Sequence, residues 1–337
     1  MRLHALPFIA SLSMILFFMT TLGRSRPSSN GLLVVANQFE HTALLVDPES
    51  RREVAKIVVG VNGHEVAVSK DGRFAYVPIY GNSGVGSPGT DGRNMVVIDI
   101  AAHKVVGNLD FGHGVRPHLP VIGPKDGLVY VTAELDNAIT VVDPRTLKIV
   151  GSIPTGQAES HMLALSHDGL RGYTANVGPG TVSVLDIKAR KMLAVIPVAA
   201  STQRISISMD DRWVFTSDQT KPQLIVIDTS TNQVKTRIPL PGTGYGSTPT
   251  RDGRWLLLAL PGENKVAVID LKTMAVARTI DVPANPQAVL AHPDGKVAYV
   301  SCIGNDEVAE IDLAQWKVTR LFHTGKGTDG LAWADTN

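Results

Sequence analysis

The chain has 337 residues, with 32 basic and 31 acidic side chains, ten His and one Cys, so its length allows one large domain or two ordinary ones. Charged residues make up only 19%, while Gly contributes 31 positions and Pro 20; this is the composition of a turn-rich folded chain and excludes a disordered or coiled-coil one. A net charge of +1 leaves no basic footprint, so nucleic acid is not expected as a partner.

The first element is a targeting signal. Arg2 precedes an 18-residue apolar run from Ala5 to Leu22, and Thr21-Leu22-Gly23 offers small residues where a signal peptidase reads. Residues 1–23 are expected to be a signal peptide and 24–30 a short linker. An uncleaved anchor is the alternative, since the run is just long enough to span a bilayer. Arg24 and Arg26 stand beyond it, where a positive-inside anchor would not place them. The expected location is therefore periplasmic or secreted, with membrane attachment only if the leader is retained. Cys302 alone permits no intramolecular disulfide, so stability must come from packing.

From Gly31 onward the chain repeats. Cut after Gly72, Gly127, Gly169, Asp211, Gly253 and Gly295, it falls into seven segments of 42 residues, except the second, which has 55. Each contains an alternating run that ends in Asp: LLVD at Asp47, VVID at Asp99, TVVD at Asp143, SVLD at Asp186, IVID at Asp228, AVID at Asp270 and AEID at Asp312. A period near 42 also occurs in helical repeats, but here the hydrophobic period is two, β-branched residues dominate, and no unit carries a ten-residue apolar stripe at helical spacing. Four short strands per unit, seven times over, predict an all-β, seven-bladed β-propeller over residues 31–337, built of four-stranded antiparallel blades. The run before each Asp-Gly turn is then the innermost strand. The chain begins on a second strand and ends on an orphan innermost one, Gly330–Ala334, which should complete the first blade beside Leu32–Val35 and remove an exposed edge.

The units resemble YVTN-type propeller repeats. The best copies are Tyr173-Thr-Ala-Asn176 with Val182-Ser-Val-Leu-Asp186, and Tyr299-Val-Ser301 with Ala291-His-Pro-Asp-Gly295. The motif Asn is kept at Asn37 and Asn176, with Asp218, Leu260 and Cys302 in the same column elsewhere. The resemblance implies an exported protein of unassigned or binding function; related seven-bladed propellers include lactonases, lyases and haem-carrying domains.

Residues that recur in every blade serve the blade. The seven Asp of the third-strand column stand at turn starts and should accept backbone amides two residues on. Cys302 falls in a repeat column and reads as packing. His167 and His292, in the Asp-Gly turns, read as solvated, and the four Trp fall in strand-like runs.

Function is sought where the repeats disagree. Aligning the units puts His64, His118, His161, Gln203, Tyr245, Gln287 and Asp329 at the mouths of successive innermost strands, with His113, Arg116, Glu159 and Arg204 in or beside the same loops. Three His and one carboxylate, Asp329, could ligate zinc or another borderline divalent ion; the bland alternative is a hydrated, polar channel. The main reading is a monomeric binding module that takes a small molecule or an envelope or extracellular protein at this funnel, through His64, Arg116, His118, Glu159, His161, Gln203, Arg204, Tyr245, Gln287 and Asp329. The alternative is a metal-assisted hydrolase or lyase with His64, His118, His161 and Asp329 as ligands and Glu159 as general base. A His-ligated haem-like cofactor is a third class. Blade two carries an insertion, Gly81–Asn94, that reads either as a lid over the His side or as a tolerated surface loop. No nucleophile elbow, His-Glu-x-x-His pair, Cys-x-x-Cys or dinucleotide fingerprint is present.

Overall fold

The period-two runs ending in Asp become the third strand of every sheet, among them Thr42–Asp47, Ala138–Asp143 and Thr181–Asp186. Their side chains are buried on both faces, because each sheet packs against a neighbour on either side. The computed structural model describes Met1 and residues 31–336; the expected signal peptide and linker lie outside the described residues. Seven four-stranded antiparallel sheets result, a seven-bladed propeller with one short 3-10 turn at Pro261–Glu263. The innermost strands of blades two to seven are Ala67–Val68, Pro117–Ile122, Ser160–Leu165, Thr202–Ile207, Ser247–Pro249 and Pro286–Ala291. The outermost strands alternate exposed and half-buried residues, as in Gln233–Pro239, and carry charge along the sheet edge.

The turn chemistry repeats as strictly as the strands. All seven column Asp accept a backbone N–H, from Glu49, Ala102, Arg145, Ala189, Ser230, Lys272 and Ala314, two residues on in five blades and three on at Asp99 and Asp186. Four residues after each Asp the backbone turns left-handed: Arg51, His103, Leu147, Arg190, Asn232, Met274 and Trp316 have φ between 51° and 58°. Each is followed by a bulge in the third-to-fourth strand pairing, as at Val141/Val142, the geometry of a hairpin whose turn ends in a left-handed residue. Trp316 thus sits in a turn, where the sequence pattern had placed it in a strand. The repeat Asn has its own role. Asn176 donates to Thr181 (3.0 Å) and Ser183 (2.9 Å) and accepts from Ser160 (2.7 Å) and Thr174 (2.9 Å), knitting three strands of one blade together.

The hydrophobic core is divided into seven clusters, one at each junction of successive blades. No blade therefore has a core of its own. The last junction depends on chain closure: Thr328–Asp335 pairs antiparallel with Gly31–Asn37, with Leu33 opposite Trp333 and Val35 opposite Leu331. His292 is buried rather than solvated, because this closure presses its ring edge-on against Trp333 at 4.2 Å. His167 stays exposed and pairs with Asp211 at 2.5 Å. Deleting residues 327–337 should remove the seam that joins both ends of the ring, so the single cooperative thermal transition of the full chain is expected to vanish in calorimetry; an unchanged transition would refute closure by this strand.

Candidate functional site

The innermost strands begin at one end of the channel, and the side chains at their mouths there meet in two groups. The first holds three histidines from blades two, three and four. His64 and His118 face each other at 2.8 Å through their Nε2 atoms, and the rings of His118 and His161 lie 3.6 Å apart, tilted by 31°. All three are buried. Hydrogen bonding assigns their tautomers. The carbonyl of Asn62 accepts from His64 Nδ1 at 3.1 Å, which leaves the Nε2 lone pair of His64 to accept from His118 Nε2–H. His118 Nδ1 is then a lone pair with no partner, buried. His161 Nδ1 donates to a Glu134 carboxylate oxygen, and its Nε2 lone pair receives the Gln203 side-chain amide at 3.2 Å. The second oxygen of Glu134 accepts from the Tyr80 hydroxyl at 2.7 Å. Tyr80, Glu134 and His161 thus form one continuous buried chain.

Alignment of the repeat units does not single out Glu134 or Tyr80. Both occupy the residue just after the repeat Asn column, where other units carry Gln38, Val177, Gln219, Pro261 and Ile303; Glu134 opens the loop joining second and third strands, and Tyr80 lies near the end of a second strand that runs on to Gly81. That loop set borders the same funnel, so the column was the available signal. Glu65 escapes in the same way, one residue past the His64 column, in line with Arg204.

The second group crosses the channel. Arg204 of blade five donates to Glu65 of blade two and, at 3.2 Å, to Asp329 of blade one, spanning sequence separations of 139 and 125 residues. Blade five stands three blades from each of these partners in a ring of seven, so the guanidinium bridges the axis. It also lies 4.6 Å over the Tyr245 ring. Arg204 is only 4% exposed and Glu65 and Asp329 5% each, so this cross-channel ion cluster is buried.

The remaining expected residues are distributed around these groups. Asp329 does not join the histidines; it is committed to Arg204. Among the described residues no group of three or more His, Cys, Asp or Glu is arranged to hold a metal ion. The set of His64, His118, His161 and Asp329 is therefore not assembled as four ligands, because the buried guanidinium outcompetes any other use of that carboxylate. Glu159 has φ 53° and its carboxylate rests against glycines: a Cβ on Gly178 would come within 2.6 Å of it, and one on Gly86 within 3.5 Å. No hydrogen bond ties it to the histidines. Gln287 turns to Asn285 at 2.7 Å, and His113 to Asp136 at 2.8 Å. Arg116, two residues before His118, fastens the blade-two insertion, donating to Asp91 (2.6 Å) and to the carbonyls of Gly84 (2.7 Å) and Ser87 (3.0 Å). With Gly86 beside Glu159, the insertion reaches from blade two past blade three to blade four.

A family model described as the Cytochrome D1 heme domain matches residues 122–251, under half of the chain; the match takes in Glu134, His161, Gln203, Arg204 and Tyr245 but neither His64 nor His118. Hydrazine synthase of Kuenenia stuttgartiensis shares the fold with a TM-score of 0.74 and 20% identity, over 88% of this chain and 99% of that one. Dihydro-heme d1 dehydrogenase NirN, in complex with DHE, follows with a TM-score of 0.64 and 19% identity, over 90% of this chain and 66% of that one, just under two thirds of its length. At these identities the likeness is one of fold. No curated protein matches the chain. The resemblance to YVTN-type repeats is carried by the repeat motifs themselves.

The electrostatics of the site follow from burial. Burial holds the His64 imidazole at about 4, against an ordinary 6.5, with Glu65 opposing the shift and the charges of His161 and Arg204 adding to it. Burial also takes His118 well below its ordinary value, helped by the neighbouring histidines. Glu65 and Asp329 are both pushed up by burial against the pull of Arg204, since one guanidinium cannot neutralise two buried carboxylates.

Two expectations result. Between pH 6.5 and 4 the unfolded chain protonates His64 and the folded chain does not, so this group's contribution to stability is present above pH 6.5 and falls away as pH drops to 4. Over that window the wild type should lose about 3 kcal/mol more than His64→Gln in urea denaturation; parallel pH profiles would contradict the buried neutral imidazole. Arg204→Leu leaves two carboxylates buried without their cation and should cost about 3–5 kcal/mol, most of it recovered when Glu65 and Asp329 are also made Leu. A cost below about 1 kcal/mol, the scale of a surface pair, would show that the cluster is solvated.

Proposed function

We propose that the chain is an exported binding module that holds a small molecule at the histidine end of its channel, and that the ligand is of the haem type. The observation that carries this reading is His161. Glu134, itself fixed by Tyr80, holds the Nδ1 proton of His161, so Nε2 presents a lone pair whose partner is a half-buried side-chain amide, Gln203, that a ligand can displace. The match of residues 122–251 to the Cytochrome D1 heme domain, and the likeness in fold to a dihydro-heme d1 dehydrogenase, support the ligand class.

The donor set fits such a group through one nitrogen rather than through four ligands. A haem-type iron, when bound, supplies a Lewis-acidic centre that takes a nitrogen lone pair. The chain's own residues do the rest. Glu134 sets the tautomer and the orientation of the His161 ring. His118 stacks against the far face of that ring and keeps it from rotating. The insertion fastened by Arg116 lies over the loops of blades three and four. The hydrolase alternative needs Asp329 and Glu159 beside the histidines, and the first is held by Arg204 while the second faces Gly86 and Gly178; it gains no support.

Titration of the purified chain with haemin is expected to give a saturable shift of the Soret band. His161→Ala should abolish the shift, Glu134→Gln should weaken binding about 10–100-fold, and His167→Ala, at the other end of the channel, should leave it unchanged. Absence of a saturable shift, or indifference to His161→Ala, would remove the haem reading.

A further inference from the structure

At the opposite end of the channel, the Asp-Gly turns frame a second opening whose character is unlike that of the histidine end. The residue before the turn Asp is basic or His in four of the six turns, Lys70, Lys125, His167 and Arg251, with Met209 and Pro293 in the other two. Two cavities of about 310 Å³ each lie inside this rim, in the size range of small-molecule pockets, about 300–1,000 Å³. The first is mainly apolar, with Leu165, Ile207 and Leu290 from three blades in its wall; the second, beside it, sets Leu290, Leu331 and Trp333 against the polar Ser69, Lys70 and Asp335. Arg251 lines both cavities, and also a cleft of about 610 Å³ that runs out between blades six and seven past Trp255 and Trp316.

The charges at this mouth are unevenly used. The turn carboxylates fold back into their own turns: Asp71 and Asp168 each accept a Ser hydroxyl at 2.6 Å, and Asp252 accepts Thr250 at 2.5 Å. Lys70 donates to the Pro124 carbonyl at 2.5 Å, and His167 pairs with Asp211. Asp335, the one acid among the described residues lining the channel cavities, accepts Trp333 Nε1 at 2.8 Å. Arg251 is exposed, and among the described residues its guanidinium has no hydrogen bond or ion pair. Lys125, on the same rim, lines neither cavity, whereas Arg251 lines both; a hollow with apolar side chains in its wall and this cation at its lip is complementary to an amphipathic anion, whose carboxylate gains a charge-assisted pair while its tail leaves water.

We propose that the Asp-Gly end of the channel is a second ligand site, separate from the histidine end, that takes a small amphipathic carboxylate with its head on Arg251 and its apolar body among Leu165, Ile207, Leu290 and Leu331. The Arg204 cluster lies between the two ends of the ring, so the two sites load independently. Three of the four tryptophans, Trp255, Trp316 and Trp333, border the cavities that meet at Arg251, which makes intrinsic fluorescence the natural readout.

Decanoate and decan-1-ol are titrated into the full chain while tryptophan emission is followed. Decanoate should bind saturably, about tenfold or more tighter than decan-1-ol, and Arg251→Gln should remove that preference. His161→Ala should leave the decanoate titration unchanged, so a failure of the haem reading does not touch this one. Equal binding of acid and alcohol, an Arg251→Gln variant that keeps the preference, or no saturable response would each overturn the proposal.

Discussion

A four-stranded sheet that is apolar on both faces cannot be covered by itself, and every feature of this protein follows from how that deficit is met. Each blade lends one face to its predecessor and one to its successor, so the seven hydrophobic clusters fall at the seven junctions and none within a blade. The arrangement is complete only when the ring closes, which the pairing of Thr328–Asp335 with Gly31–Asn37 achieves. Burial at the axis is the by-product. Strand mouths that are tens of residues apart in the chain converge there, and polar side chains that would be solvated on an open sheet are buried and must find partners.

The Arg204 cluster is the largest consequence of that convergence. A guanidinium and two carboxylates leave water together, and the geometry makes the removal tolerable by aiming two donor nitrogens at two acids on opposing blades. The cluster also lies between the two ends of the ring, joining blade five to blades two and one. On one side stand the histidines, of which His64 and His118 are kept neutral by burial; on the other lie two cavities with Arg251 at their lip. The two ends thus differ in the side chains they present, which is the basis of the two ligand sites proposed above.

The histidine group shows how a carboxylate in a neighbouring loop changes the chemistry of a ring. Three adjacent imidazoles could have been equivalent. Instead His64 is oriented by a carbonyl, His161 by a carboxylate, and His118 retains a buried nitrogen without a partner. Only His161 combines an anionic group behind one nitrogen with an exchangeable partner on the other, which is why it, rather than the trio, anchors the functional reading.

Fold class, blade number, blade limits and the closing strand were all legible in the letters, because a hydrophobic period of two and a recurring Asp turn are local signals repeated seven times. The columns of the funnel were legible as well, so His64, His118 and His161 could be brought to one rim without coordinates. What local signals do not carry is direction across the axis. Asp329 aligns with the histidines in the repeat but points to Arg204, because a buried guanidinium on the facing blade is a stronger partner than a neutral imidazole. Glu134, Tyr80 and Glu65 sit one residue outside the columns that alignment singled out, and they matter only through contacts 27, 54 and 139 residues away. Strand pattern and turn chemistry are set by neighbours in sequence; the pairing of charges inside the ring is set by which blades stand opposite one another, and that exists only after the ring has closed.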